Sequence, residues 1–376
     1  MNPAGHLSDK YSFMSQPYSF YYFHNMDKLD LRTDWVKKGD RVYPILEPTR
    51  ELSFEYTFQG KRYSLDDYFK RNFVTGFLVL RDDQIMAEKY FHEADQNSKF
   101  VSQSVSKSIV SILIGAAVED GSIKSIEDPI VKYLPYLKES GYRNVTVKNL
   151  LQMSTGIKYS EDYGDAKSEA ALLGSALLTG SPSFKEYAQS IQPTSTQPGT
   201  KFEYQSVNTQ VLGLLLEKTT GKRLNEYAQE KLWKKIGAQS DAFFYESKKQ
   251  PDTCAFACFN ATLRDYARIG LMMLRGGKLG EERIVKKSWV HDSTTPDAPY
   301  LKASQGGGIG YAYQWWIPPG NEGVFMAIGI YGQCIYVNPA RRVVIVQTSA
   351  WPEPEPYLLD IEQSVVLDGI ARKFEP

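Results

Sequence analysis

The stretch SQSVSKSIVSILIGAAVEDG, from Ser102 to Gly121, is where the organisation of the chain turns. Between Val105 and Glu119 apolar residues occupy every side of a helical wheel, so the segment reads as one buried helix stopped by Asp120-Gly121. Before it the signals are those of strands. FEYTFQGKRYSL, starting at Phe54, has two alternating runs about Gly60, and Val74–Leu80 and Ile85–Phe91 flank the turn residues RDDQ. From Ser102 to about Gly276 the chain reads as mostly helical, with helical spacing at Val147–Met153, Asn208–Thr220 and Leu263–Leu274. Strands return at Val324–Gly329, Cys334–Asn338 and Val343–Thr348, and a last helix runs from about Tyr357 to Lys373. Strands from both ends of the chain around a helical middle imply an α+β fold, an antiparallel sheet flanked by helices with an inserted all-helical domain. The expected division is an N-terminal arm over 1–50, a discontinuous sheet domain over 51–110 and 277–376, and a mainly helical domain over 111–276. The arm is rich in Tyr, Phe and Pro and has no clean period. It suits an extended strap that either covers a site mouth or builds a homodimer contact.

Composition narrows the function. With 42% hydrophobic and 23% charged residues in a chain of 376, the material for a sizeable core is present. Forty-four Lys and Arg balance 44 Asp and Glu, which removes the basic footprint of a nucleic-acid protein and any pull towards anionic membranes. The longest apolar run, Ile109 to Val118, is broken by Ser111 and falls short of the ~18–20 residues a bilayer needs. The N-terminus has no basic region followed by an apolar run and a cleavage site, so a cytoplasmic location is expected. Cys254, Cys258 and Cys334 are expected as reduced buried thiols. His6, His24, His92 and His291 are scattered and form no metal cluster; neither metal nor cofactor is expected. His92, just past a strand, is the weak candidate for a Ser-His-Asp triad. The run Gly306–Gly310 reads as a flexible loop, lacking the strand and helix that a phosphate-binding loop requires.

Ser104-Val-Ser-Lys107 opens the central helix. Residues three apart share a helical face, so the Lys107 amine can reach back to the Ser104 hydroxyl. A serine is a weak nucleophile unless a base takes its proton, and burial beside the positive end of a helix pushes a lysine towards its neutral form. Free N–H groups at the same helix end suit an oxyanion. The pattern alone is weak: chance gives about two S-x-x-K matches in such a chain, and Ser102 or Ser104 also suits a helix cap. Its company strengthens it. Thr146-Val-Lys-Asn-Leu-Leu, Pro198-Gly199-Thr200-Lys-Phe-Glu-Tyr204-Gln-Ser206-Val-Asn208 and Gly329-Ile-Tyr-Gly-Gln333 follow in order. A loop tyrosine such as Tyr204 can relay a proton if the nearby ammonium lowers its pKa.

This order of motifs resembles the serine β-lactamase/penicillin-binding superfamily, in its class C and family VIII carboxylesterase branch. Within that branch, Ser160-Glu-Asp-Tyr163, Tyr204–Asn208, Tyr313-Gln-Trp-Trp316 and Gly329–Gln333 are most similar to the 6-aminohexanoate-dimer (nylon-oligomer) hydrolases. The resemblance covers roughly Phe73 to the C-terminus and implies a β-lactamase-like fold. It implies Ser104 as acylated nucleophile, Lys107 as general base and Tyr204 as proton shuttle. The oxyanion hole would be the backbone N–H groups of Ser104 and Ile330, with Gln333 the alternative register. Tyr163, Ser206 and Tyr331 are the implied substrate-binding residues. Trp315 and Trp316 read either as an acyl-pocket lining or as core.

Departures shape the expected substrate. Ala327–Gln333 holds no cation where β-lactamases and transpeptidases carry a carboxylate-binding lysine. Met153 stands where many relatives have histidine, and Ser206 replaces the usual asparagine. Gly174 stands where some nylon-oligomer hydrolases have an aspartate, which favours an ester over a linear amide. The expectation is a cofactor-free serine hydrolase of small uncharged esters or amides working through an acyl-enzyme. The rivals are a β-lactamase, D-amino peptidase or transpeptidase of the same superfamily, and a catalytically retired binding protein.

Overall fold

The computed structural model describes residues 12–47, 52–249, 252–303, 308–320 and 322–376. The predicted Gly306–Gly310 loop lies partly outside these residues. At the centre stands a seven-stranded antiparallel sheet. Its order is Gly310–Tyr311, Trp316–Ile317, Phe325–Gly329, Gln333–Asn338, Val343–Ser349, Val74–Arg81 and Gln84–Tyr90. Strands from the C-terminal third therefore meet the first hairpin through Val343–Ser349 against Val74–Arg81. Both of these inner strands are buried along nearly their whole length, which is why their sequences run apolar instead of alternating. The helices Leu263–Leu274 and Tyr357–Ala371 carry residues of the two main apolar clusters, which include opposite alternations of the central strands.

The predicted helix Val105–Glu119 is present with the expected limits, and all but its last two residues are buried. Helix Ser206–Thr220 packs against it and ends on Gly221 in the left-handed region, where a side chain would be strained. The middle of the chain is less uniformly helical than its sequence suggests. Ala242–Glu246 (AFFYE) is a strand in a second, four-stranded sheet, between Arg32–Val36 and the short strands Asn260–Ala261 and Phe100–Val101. All five of its residues are buried, so the alternation that would mark a strand is missing. No helix among the described residues is long and apolar enough to cross a membrane.

Two further expectations are corrected. Cys254 and Cys258, expected as reduced thiols, are paired, because the loop between them brings their Cα atoms to 5.7 Å, within disulfide reach. Cys334 is free and buried. The arm is also not a simple extended strap. It holds a helix at Tyr18–Tyr22 and the strand Arg32–Val36, which pairs antiparallel with Ala242–Glu246. Its aromatic density is spent on docking: Phe20 stacks on His92 at 4.1 Å, and His24 lies 5.9 Å from the ring of Phe100.

His24 is buried, and that burial pushes its pKa down from 6.5 to about 4, with nearby His92 acting in the same direction. A freed arm would bind a proton below its ordinary pKa of 6.5, and the docked arm would not. Docking is therefore at full strength above pH 6.5 and weakens as pH falls towards 4, by up to about 3 kcal/mol. Limited proteolysis between residues 12 and 31 should accelerate on going from pH 7 to pH 4.5, and the acceleration should be blunted in His24→Phe. Cleavage independent of pH would contradict this.

Candidate active site

The Ser104-Val-Ser-Lys107 segment sits at the junction of the two sheets. Ser102 donates its N–H to the Phe259 carbonyl at 2.8 Å, which fixes the end of strand Phe100–Val101. Gln103 then takes φ 44°, a left-handed conformation that is costly for a side-chain-bearing residue, and turns the chain into the helix. Ser104 follows at the head of the helix and is 7% exposed.

Lys107 lies one turn on, 1% exposed. Its Nζ donates to Ser104 Oγ at 2.7 Å and to the Phe256 carbonyl at 2.9 Å. That carbonyl belongs to the loop closed by Cys254 and Cys258, and the neighbouring Ala255 carbonyl accepts from Ser106 Oγ at 2.8 Å. The loop thus clamps the first turn of the helix at two points. Burial pushes the Lys107 ammonium down to about 8, and the carboxylate of Glu161 opposes part of that shift. An amine with this pKa is partly neutral near physiological pH.

Tyr204 stands beside the pair, its ring 5.0 Å from Lys107 Nζ. The loop carrying it is held by the Glu203 N–H on the Met153 carbonyl at 2.8 Å, and its ring packs on Trp316 at 5.3 Å. Met153 shares one small cluster with Tyr311, Phe202 and Tyr204, so this methionine supports the tyrosine through packing. Burial, followed by Glu161, raises the phenol well above its ordinary pKa, while Ser104 pulls it down. The expected lowering by an ammonium is not found, because desolvation and the Glu161 carboxylate raise the phenol. Tyr204 is a neutral O–H here.

Gly329 ends the strand Phe325–Gly329 directly against Ser104. A Cβ there would come within 2.6 Å of the Ser102 carbonyl oxygen and 2.9 Å of the Ser104 nitrogen. Only glycine permits that approach. The next residue, Ile330, faces the same cavity as Ser104, whereas Gln333 does not. Neither the Ser104 nor the Ile330 N–H donates to another group among the described residues. Tyr331 follows with φ 63°, its N–H on the Pro354 carbonyl at 2.8 Å.

The cavity has a volume of about 410 Å³ and is bordered by Ser104, Tyr163, Ser206, Ile330 and Tyr331. All three implied substrate-binding residues are therefore brought together at it. Trp315 and Trp316 are not; Trp315 packs on Phe325, and Trp316 backs Tyr204. The residue that sequence reasoning passed over is Glu161. Its carboxylate accepts from the Ser206 N–H at 2.8 Å, from the Ser206 hydroxyl, and from the Tyr163 hydroxyl at 2.7 Å. The only signal for it was its place inside Ser160-Glu-Asp-Tyr163. The arm also reaches the site: Phe13, Met14, Met26 and Leu31 line the cavity.

With this geometry in view, comparison with known proteins is decisive. A family model described as beta-lactamase matches residues 72–367. The chain belongs to the beta-lactamase family. It is 30% identical over 379 residues to the 6-aminohexanoate-dimer hydrolase of Paenarthrobacter ureafaciens, covering 97% of this chain and 93% of that protein. The likeness therefore extends into the arm, beyond the Phe73 limit that the motifs suggest. Among solved structures, a putative 6-aminohexanoate-dimer hydrolase from Bacillus anthracis superposes with a TM-score of 0.86 at 24% identity, over 96% of this chain and 95% of that one. A family VIII carboxylesterase superposes with a TM-score of 0.64 at 17% identity, over 82% and 96% respectively. Both show the beta-lactamase-like fold.

Glu161 and Lys107 make a direct prediction within this family site. Because the carboxylate raises the lysine's pKa, Glu161→Gln should move the Lys107 titration below about 8. Selective ¹³Cε-lysine NMR across a pH series would read it. An unchanged or raised midpoint would contradict the coupling.

Proposed function

We propose that the protein is a serine hydrolase that cleaves small uncharged esters or amides through an acyl-enzyme on Ser104. The observation that carries this reading is the buried contact of 2.7 Å between Lys107 Nζ and Ser104 Oγ. In its neutral form Lys107 takes the proton of Ser104 as Oγ bonds to the substrate carbonyl carbon. The Ser104 and Ile330 N–H groups, with no partner among the described residues, receive the developing oxyanion. As the bond to the leaving group breaks, the Tyr204 hydroxyl protonates it and recovers a proton from Lys107. Water then adds to the acyl carbon, its proton passes to the same pair, and Ser104 Oγ leaves reprotonated.

The substrate class is supported by the lining. No Lys or Arg is found among the residues bordering the cavity, so nothing there would hold the carboxylate of a β-lactam or a peptide C-terminus. Similarity to a 6-aminohexanoate-dimer hydrolase supports amide cleavage. A Cβ at Gly174 would meet nothing within 4 Å, so the position where some relatives carry an aspartate offers no charge for a substrate amine. An uncharged ester is the favoured substrate.

Ser104→Ala should lower kcat for p-nitrophenyl acetate by at least about a thousandfold, with Lys107→Met losing a comparable factor. Both substitutions keep or nearly keep side-chain volume, so thermal unfolding should confirm that the variants are folded. Turnover by folded Ser104→Ala at the unmodified rate would overturn the assignment.

A further inference from the structure

We propose that the N-terminal arm is a wall of the acyl pocket and selects aliphatic, uncharged acyl chains longer than acetyl. The inference rests on the reading of Ser104 as the nucleophile and names the substrate class of that site. The cavity that reaches Ser104 is shared between two apolar surfaces distant in sequence. The arm contributes Phe13, Met14 and Leu31, and helix Glu169–Thr179 contributes Gly174, Leu177 and Leu178. An acetyl group would leave most of about 410 Å³ unfilled, whereas a longer aliphatic chain would exchange water for these side chains. Glu161 is the one charged side chain among the lining residues, and its carboxylate is already occupied by Ser206 and Tyr163. A chain ending in a carboxylate would meet that charge with no Lys or Arg among the described lining residues to offset it.

The arm is anchored firmly enough to act as a wall. Strand Arg32–Val36 is paired along its length with Ala242–Glu246. Nearer the site, the Phe23 carbonyl accepts from the Val101 N–H and Gln16 Nε2 donates to the Ala350 carbonyl, both at 2.8 Å. The ring of Phe23 meets Tyr331 edge-on at 5.4 Å, one residue from Ile330. Arm and oxyanion loop are therefore in contact, and the arm's position relative to Ser104 is set.

The test is a series of p-nitrophenyl esters from acetate to decanoate, run on the unmodified chain, Leu31→Trp and Met14→Ala. For the unmodified chain kcat/KM should rise with acyl length, by up to about fourfold per buried methylene, before falling when the cavity is full. Leu31→Trp, which narrows the cavity, should lower the hexanoate-to-acetate ratio at least tenfold. Met14→Ala, which widens it, should move the preferred chain to greater length. Ratios within twofold of the unmodified protein in both variants, each unfolding as a cooperative unit, would overturn the arm's role. So would a length preference that appears only when the alcohol portion is varied. Length-independent turnover that still needs Ser104 would remove this inference alone, whereas an unmodified chain that hydrolyses none of the esters would remove the serine-hydrolase reading beneath it.

Discussion

A lysine buried to 1% exposure against a serine is the constraint on which the rest of the site depends. Taking an ammonium out of water is costly unless it finds partners, and here the hydrogen-bond partners among the described residues are one hydroxyl and one carbonyl. The shift of Lys107 to about 8 corresponds to roughly 3 kcal/mol of preference for the neutral amine relative to water. That preference suits the base role proposed for a residue that would otherwise stay protonated. Everything around it serves to keep the environment dry and the geometry fixed.

The clamp is built from distant parts of the chain. The Cys254–Cys258 loop offers the Phe256 and Ala255 carbonyls, the strand Phe325–Gly329 ends against Ser104, and the Tyr204 loop closes the remaining side. Glu161 moderates the field. It holds Ser206 and Tyr163 in place and at the same time limits how far the Lys107 pKa falls. One carboxylate thereby couples the cavity lining to the electrostatics of Lys107.

Much of this is legible in the sequence. Helix Val105–Glu119 and helix Leu263–Leu274 have the limits that their sequences predict, because apolar spacing and stop signals agree there. The hairpin about Gly60 and the strands near the C-terminus were equally readable from alternation and turn residues. Ser104, Lys107 and Tyr204 were singled out by motif order and meet in space. What stayed hidden depends on tertiary contact. Ala242–Glu246 is buried on both faces and shows no strand alternation; the cysteines pair because of a loop's shape; and Glu161 acts through partners 2 and 45 residues away. The arm's Tyr and Phe residues gave composition without period, and their purpose appears only where they dock.

The central claim is that burial makes Lys107 the base that activates Ser104. The most direct measurement is the rate at which a fluorophosphonate labels the protein as a function of pH, with the adduct mapped by peptide digestion. A single adduct on Ser104, forming along a titration with its midpoint near 8 and slowed drastically in Lys107→Met, is the predicted result. Labelling at another residue, or labelling of Ser104 that ignores both pH and the loss of Lys107, would contradict it.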